Sequence, residues 1–240
     1  MSRPGGDVVF DWRMSRQHGE LTSLIEGFVG ILQSDGYGAH AAKHPEVTWV
    51  GCWAHARRKF YEAYQAGEDG AVHYLVLIRE LYAIEAEVPA EADDEAIATL
   101  REKRSGPVLD QIKQSLEQDR DEHLPKSAMA QAIGYAQSLW LKLSAFVRHG
   151  QTRIDNNLTE QAIRPTKLGA KNWLFIGHPD AGHRAAIIYT ILEKCRRHKV
   201  EPLAYLDDVL RRLPGMTNHE VAEAKMTPPD WAKAHPVNTG

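Results

Sequence analysis

Between Ala71 and Arg148 apolar residues recur every three or four positions, and strand signals are few. Val72, Leu75, Ile78, Leu81 and Tyr82 form one stripe. Leu100, Val108, Leu109, Ile112 and Leu116 form a second with interruptions, and Ile133, Tyr135, Leu139, Trp140 and Leu143 a third. Pro89, Pro107 and Pro125 punctuate the block, and the acidic stretch from Ala90 to Ala96 reads as a solvated linker. This spacing predicts an all-helical insertion between two parts of one α/β domain.

The flanking sequence supplies the α/β parts. Val8 to Trp12 (V-V-F-D-W) reads as a strand, Ser15 to Gly19 as a turn, and Glu20 to Phe28 as a helix carrying Leu21, Leu24, Ile25 and Phe28. I-L-Q-S-D-G-Y reads as a second strand ending at Asp35-Gly36. Val47 to Trp53 (V-T-W-V-G-C-W) is a third, running into the helix A-H-A-R-R-K-F-Y-E-A-Y. Strand, helix, strand, strand, helix is the pattern of an α/β unit. After Asp155 a helix starts, and W-L-F-I reads as a strand or buried turn. His183 to Lys199 is amphipathic. Pro202 opens another helix, with Leu203, Leu206, Val209, Leu210 and Leu213 on its apolar face. The proline-rich end reads as a loose tail.

Composition narrows the partners. The chain has 240 residues, 43% hydrophobic and 25% charged, with net charge −3. It carries no global basic field, so any nucleic-acid site is a local patch. Cys52 and Cys195 cannot build a disulfide framework and suit a reducing cytosol. No apolar run reaches about 18 residues, the length a spanning helix needs. M-S-R-P-G-G lacks the apolar core of a signal peptide.

Several residues could carry chemistry. Asp35 is either the first residue of an Asp-Gly turn or a carboxylate at a sheet edge that binds a hard cation such as magnesium. Glu160 completes a capping-box pattern with Asn157, yet Arg164, Lys167 and Lys171 follow it at helical intervals, with Trp173 beyond. An acid flanked by cations suits a metal site that also binds phosphates. Pro165 is expected to bend or end that helix. Arg57, Arg58 and Lys59 form either a solvated helix face or a phosphate-binding one. Trp53, Tyr61 and Tyr64 either stack on bases or pack the core. Lys194, Arg196, Arg197, His198 and Lys199 end a helix, where cations complement its dipole. Cys52 and His55 have C-x-x-H spacing, but no second ligand pair for zinc stands out.

The segments L-Q-S-D-G-Y, G-C-W-A-H-A-R-R-K-F and D-N-N-L-T-E-Q-A-I-R-P, with K-N-W-L-F-I-G and A-Y-L-D-D-V-L, together resemble the DDE transposases of the bacterial insertion-sequence sixty-six family. The likeness runs from about Val8 to Leu213. It implies a ribonuclease-H-like fold with a helical insertion before the last acid, and catalysis by Asp, Asp and Glu holding two divalent ions, Mg2+ or Mn2+. By motif, Asp35 is the second acid and Glu160 the third. Arg57, Arg58, Lys59, Arg164, Lys167 and Lys171 are the implied DNA contacts.

The first acid is harder to place. Too few residues separate Asp11, or Asp7, from Asp35 to hold a helix and two further strands. V-V-F-D-W is therefore expected to be the third strand of the core, with two strands upstream of Met1. The expected organisation is a partial core over 1–70 (strands three to five), a helical insertion over 71–150, the Glu160 helix and C-terminal helices over 151–215, and a tail over 216–240. The resemblance implies a bacterial cytoplasmic protein, nucleoid-associated when on DNA. Its partners would be transposon ends, target DNA, and itself or an intact transposase. A chain lacking the first acid is expected to be inactive alone. The alternatives are a DNA-binding or assembly module without catalysis, and another metal nuclease on the same fold.

Overall fold

The computed structural model describes residues 6–14, 23–35, 44–173 and 176–236. The chain divides into two compact units, Arg16–Asn157 and the pair Met1–Ser15 with Leu158–Gly240. The described residues are mostly helical, with a small parallel sheet.

In the first unit, β1 (Gly30–Gln33) pairs in parallel with β2 (Val47–Val50), Gly30 opposite Val47 and Gln33 opposite Val50. Residues 23–25 are helical, so part of the predicted helix before β1 is present; its start and the predicted turn at Ser15–Gly19 lie outside the described residues. The third predicted strand is shorter than its apolar run, because Trp53 already opens α1 (Trp53–Gln65). Gly51 makes the transition possible: a Cβ there would meet the backbone of Leu143 at 3.2 Å, and the Gly51 amide donates to the Lys142 carbonyl at 2.8 Å. Two backbones can approach this closely only where no side chain intervenes.

Then come α2 (Ala71–Ala86), α3 (Asp94–Gln118), α4 (Ala128–Ser138) and the short α5 (Trp140–Ser144). The predicted acidic linker is shorter than expected. Asp93 caps α3, its carboxylate accepting from the Ala96 amide at 2.8 Å, and Asp94 and Glu95 sit in the first turn, where negative charge offsets the helix dipole. Pro107 does not end α3: the helix continues through it. The loss of one internal hydrogen bond is outweighed by burial of Val108, Leu109, Ile112 and Leu116.

These helices enclose one core. Trp53 is fully buried, donates from Nε1 to the Leu143 carbonyl at 2.8 Å and meets Trp140 edge-on. Phe60 stacks on Tyr74 with ring centroids 4.4 Å apart. Trp53, Ala56, Phe60 and Ala63 are the buried positions of α1, at three- and four-residue intervals.

The second unit contains α6 (Asn157–Trp173), α7 (Pro179–Arg197), α8 (Pro202–Arg212), α9 (Asn218–Glu223) and α10 (Pro228–Ala234). Two expectations are corrected here, the strand at V-V-F-D-W and the loose tail. V-V-F-D-W is not a strand: only Val8 makes a bridge. Its Phe10 amide instead donates to Thr190 Oγ1 on α7 at 2.9 Å, and just before the segment the Gly6 carbonyl accepts from Arg197 of the same helix at 2.6 Å. Pro165 lies inside a continuous α6. Trp173 belongs to the last turn of α6 and so begins no strand; Leu174 and Phe175 lie outside the described residues. The predicted tail holds two helices. Trp231 packs edge-on against Tyr205 and donates to Asp208 at 2.9 Å, while the Tyr205 hydroxyl donates to the Met226 carbonyl. On α8, Tyr205 and Val209 are buried, whereas Leu203 and Leu210 are exposed. No described helix is long and apolar enough to cross a membrane.

Candidate functional site

Asp35 follows the carboxyl end of β1 by two residues. The Ser34 amide donates to the Val50 carbonyl at 3.0 Å, so the strand pairing reaches almost to the acid. Carboxyl ends of parallel strands are where open α/β sheets place ligands. Two side chains fix this end. Gln33 Nε2 donates to the Gly51 carbonyl at 3.1 Å and to the Arg153 carbonyl at 2.6 Å. The Tyr135 hydroxyl donates to the Asp35 carbonyl at 2.9 Å. Burial pushes the Tyr135 hydroxyl up to about 12; the Cys52 and Asp35 side chains reinforce the rise and the Arg58 guanidinium opposes it. Gly36 and Tyr37 of the D-G-Y motif lie outside the described residues.

Gln33 thus links the sheet edge to residues 149–157, a strap held at several points. Trp53 donates its backbone amide to the Ile154 carbonyl at 3.1 Å, and the Asn156 amide donates to Cys52 Sγ at 3.5 Å. Arg101, only 3% exposed, grips Glu85 with two 2.7 Å hydrogen bonds. It also donates to the carbonyls of Phe146, His149 and Thr152 at 3.0–3.1 Å. Asp155 accepts from the Tyr82 hydroxyl at 2.8 Å, the Asn157 amide at 3.1 Å and the Asn157 side chain at 2.8 Å. Burial, then the Asp155 charge, drives the Tyr82 hydroxyl far above its ordinary range, while Arg57 acts against the rise. The first acid of D-N-N-L-T-E therefore builds the entrance to α6, and its oxygens are engaged.

Glu160 lies in the first turn of α6. The same helix carries Arg164, Lys167 and Lys171, all exposed, at four, seven and eleven residues beyond the acid. Because α6 is continuous through Pro165, this spacing keeps all four on related faces. On α1, Arg57 and Arg58 are exposed, and Lys59 is paired with Glu62 at 3.0 Å. Asp35, Arg57, Arg58 and Lys59 thus belong to one unit, and Glu160, Arg164, Lys167 and Lys171 to the other. Asp7 and Asp11 are occupied by cations: Asp7 by Lys194 at 2.8 Å and His198 at 3.1 Å, Asp11 by Arg13 at 2.6 Å. The hydrogen bond from Lys194, with help from His198, holds the Asp7 carboxyl below its usual range.

The positioning residues Gln33, Tyr82, Arg101 and Tyr135 were not singled out for this role from sequence. Gln33 alone left a signal, as a polar residue inside the apolar strand before the acid.

These features define an α/β protein with an acid at the carboxyl end of a parallel strand and cation-bearing helices. The sequence matches the Transposase IS66 family over residues 5–184, and the chain belongs to that family. It is 34% identical over 199 residues to the uncharacterized protein y4qI of Sinorhizobium fredii (strain NBRC 101917 / NGR234), covering 79% of this chain and 37% of that protein. It is 31% identical over 208 residues to the uncharacterized protein y4jD of the same strain, covering 83% and 40% respectively. The chain thus spans about two fifths of the length of these curated relatives. No solved structure gives a significant match.

Proposed function

We propose that this chain carries catalytic parts of a transposase that cuts and joins DNA at insertion-sequence ends, on a ribonuclease-H-like core. Asp35 and Glu160 are the carboxylates that hold Mg2+ or Mn2+. The observation that carries the reading is Asp35 itself, fixed just past a parallel strand by Gln33 and Tyr135, in a chain whose family motifs occur in order. Carboxylate oxygens suit such hard cations. Bound there, two divalent ions would supply an activated water and stabilise the attacking and leaving oxygens. Arg57, Arg58, Arg164, Lys167 and Lys171 hold the DNA backbone, with Lys59 contributing once released from Glu62.

A third carboxylate is still required. Asp7 and Asp11 are engaged by cations and Asp155 by Tyr82 and Asn157, which speaks against each of them as that ligand. In this reading the 240 residues alone bind DNA without transferring strands, and act with a further copy or an intact transposase. The same observation supports the second reading, a DNA-binding or assembly module.

Manganese titration and a labelled transposon-end cleavage assay test this. Asp35→Asn and Glu160→Gln should each weaken manganese binding at least about tenfold, with no strand transfer by the parent chain. Manganese affinity indifferent to both substitutions refutes the ligand assignment. Metal-dependent nicking by the parent chain, abolished by Glu160→Gln, refutes the missing third ligand. Salt-dependent DNA binding with no manganese site at all leaves the module reading.

A further inference from the structure

The exposed face of α1 places aromatic rings among cations. Trp53, at the start of the helix, is buried and serves the core. Tyr61 and Tyr64 do not: each is 44% exposed. Arg57, Tyr61 and Tyr64 stand at i, i+4 and i+7, so they form one row, and Arg58 flanks Tyr61 one turn back. Gln65 donates to the Tyr61 hydroxyl at 3.0 Å, which steadies that ring at the surface. Among the described residues neither Arg57 nor Arg58 forms an ion pair. Both lie in the second turn of α1, away from the C-terminal turn where cations offset the helix dipole, so a dipole role does not account for them. Their charges also reach the site: Arg58 acts on Tyr135, which holds Asp35, and Arg57 acts on Tyr82, which holds Asp155.

We propose that the Arg57–Arg58–Tyr61–Tyr64 row binds an unpaired DNA strand, the tyrosines stacking on bases and the arginines holding phosphates beside the Asp35 edge. The inference rests on the DNA-processing reading and specifies the form of DNA. Duplex DNA hides its base faces, so exposed rings gain nothing from it. Unpaired bases offer those faces in any sequence, and anionic phosphates complement the unpaired arginines. The row is thus suited to the frayed or freshly cut end of a strand.

The experiment is fluorescence anisotropy on the full 240-residue chain in EDTA, so that metal binding plays no part. The probes are a labelled oligothymidylate of about 16 nucleotides and a duplex of equal length. Tyr61→Ala and Tyr64→Ala should each weaken single-strand binding at least about fivefold and leave duplex binding within about twofold, while Tyr→Phe at either position retains affinity. Arg58→Ala should lower the salt slope for the single strand by about 0.7. Crosslinking of a bromodeoxyuridine-substituted strand to the unaltered chain should map to the peptide holding Tyr61 and Tyr64, which keeps the test independent of variant folding. Single-strand binding unchanged in both alanine variants, or equal losses on both probes, overturns this inference alone. Failure of the parent chain to bind either probe overturns the DNA reading as well.

Discussion

Replacing Arg101 with Met is the most informative perturbation of the strap that leads into α6. Arg101 makes five hydrogen bonds, two of them to Glu85. Summing five charge-assisted bonds at about 1.5–3 kcal/mol each would give roughly 8–15 kcal/mol, more than many domains possess. That sum is too large. The Phe146 carbonyl keeps the His149 amide at 3.2 Å, and the His149 carbonyl keeps the Thr152 amide at 3.0 Å and hydroxyl at 2.7 Å. What is lost is the partner of Glu85, whose side chain is only 15% exposed, and the Arg101 bond to the Thr152 carbonyl. An orphaned buried carboxylate costs about 3–5 kcal/mol, and that is the expected loss. The assay is urea unfolding by far-ultraviolet circular dichroism, with amide exchange followed in peptides covering 146–157. Arg101→Met should speed exchange at the strap, and Arg101→Met with Glu85→Met should recover most of the stability, because the pair is then replaced by apolar volume. A loss under about 1 kcal/mol, or a double variant as unstable as the two single losses added, would refute the reasoning.

Gly182→Ala should destabilise the second unit by about 1–3 kcal/mol, because the new Cβ would overlap the Trp12 ring; faster amide exchange over residues 6–14 is the readout. Glu193 is buried, and its hydrogen bonds from Arg196, then Arg197, hold its carboxyl below the usual range. Its stabilising contribution is therefore full above the unfolded value near 4.5 and disappears as pH falls through the lower folded value. Glu193→Gln should flatten the acid limb of the stability curve, and an unchanged limb would contradict the assignment. Burial raises both the Cys52 and Cys195 thiols, so Ellman's reagent at pH 8 should modify neither until denaturant is added; rapid native labelling of either would place it at the surface.

Helices were the most legible part of the fold. The stripes over Ala71–Arg148 mark real helices because the residues that share a buried face lie three or four positions apart in one segment. Asp35 beyond a strand was legible for a similar reason: the apolar run and its Asp-Gly ending are adjacent in the chain. The strap was not. Arg101, Tyr82 and Gln33 act on residues 146–157 from far away in sequence, and nothing local to an arginine or glutamine announces its partner.

Periodicity and motif order in the sequence alone therefore determined the helical middle, two strands, the acid after the first of them and the family. Tertiary structure decided which aromatic of α1 is core and which is surface, laid V-V-F-D-W on α7, and kept α3 and α6 whole through their prolines. A helix satisfies its backbone from within, so its own residues reveal it. A strand needs a neighbour, and within Val8 to Trp12 the Phe10 amide found a hydroxyl acceptor on a helix instead, while a guanidinium of the same helix donates to the Gly6 carbonyl just before the segment.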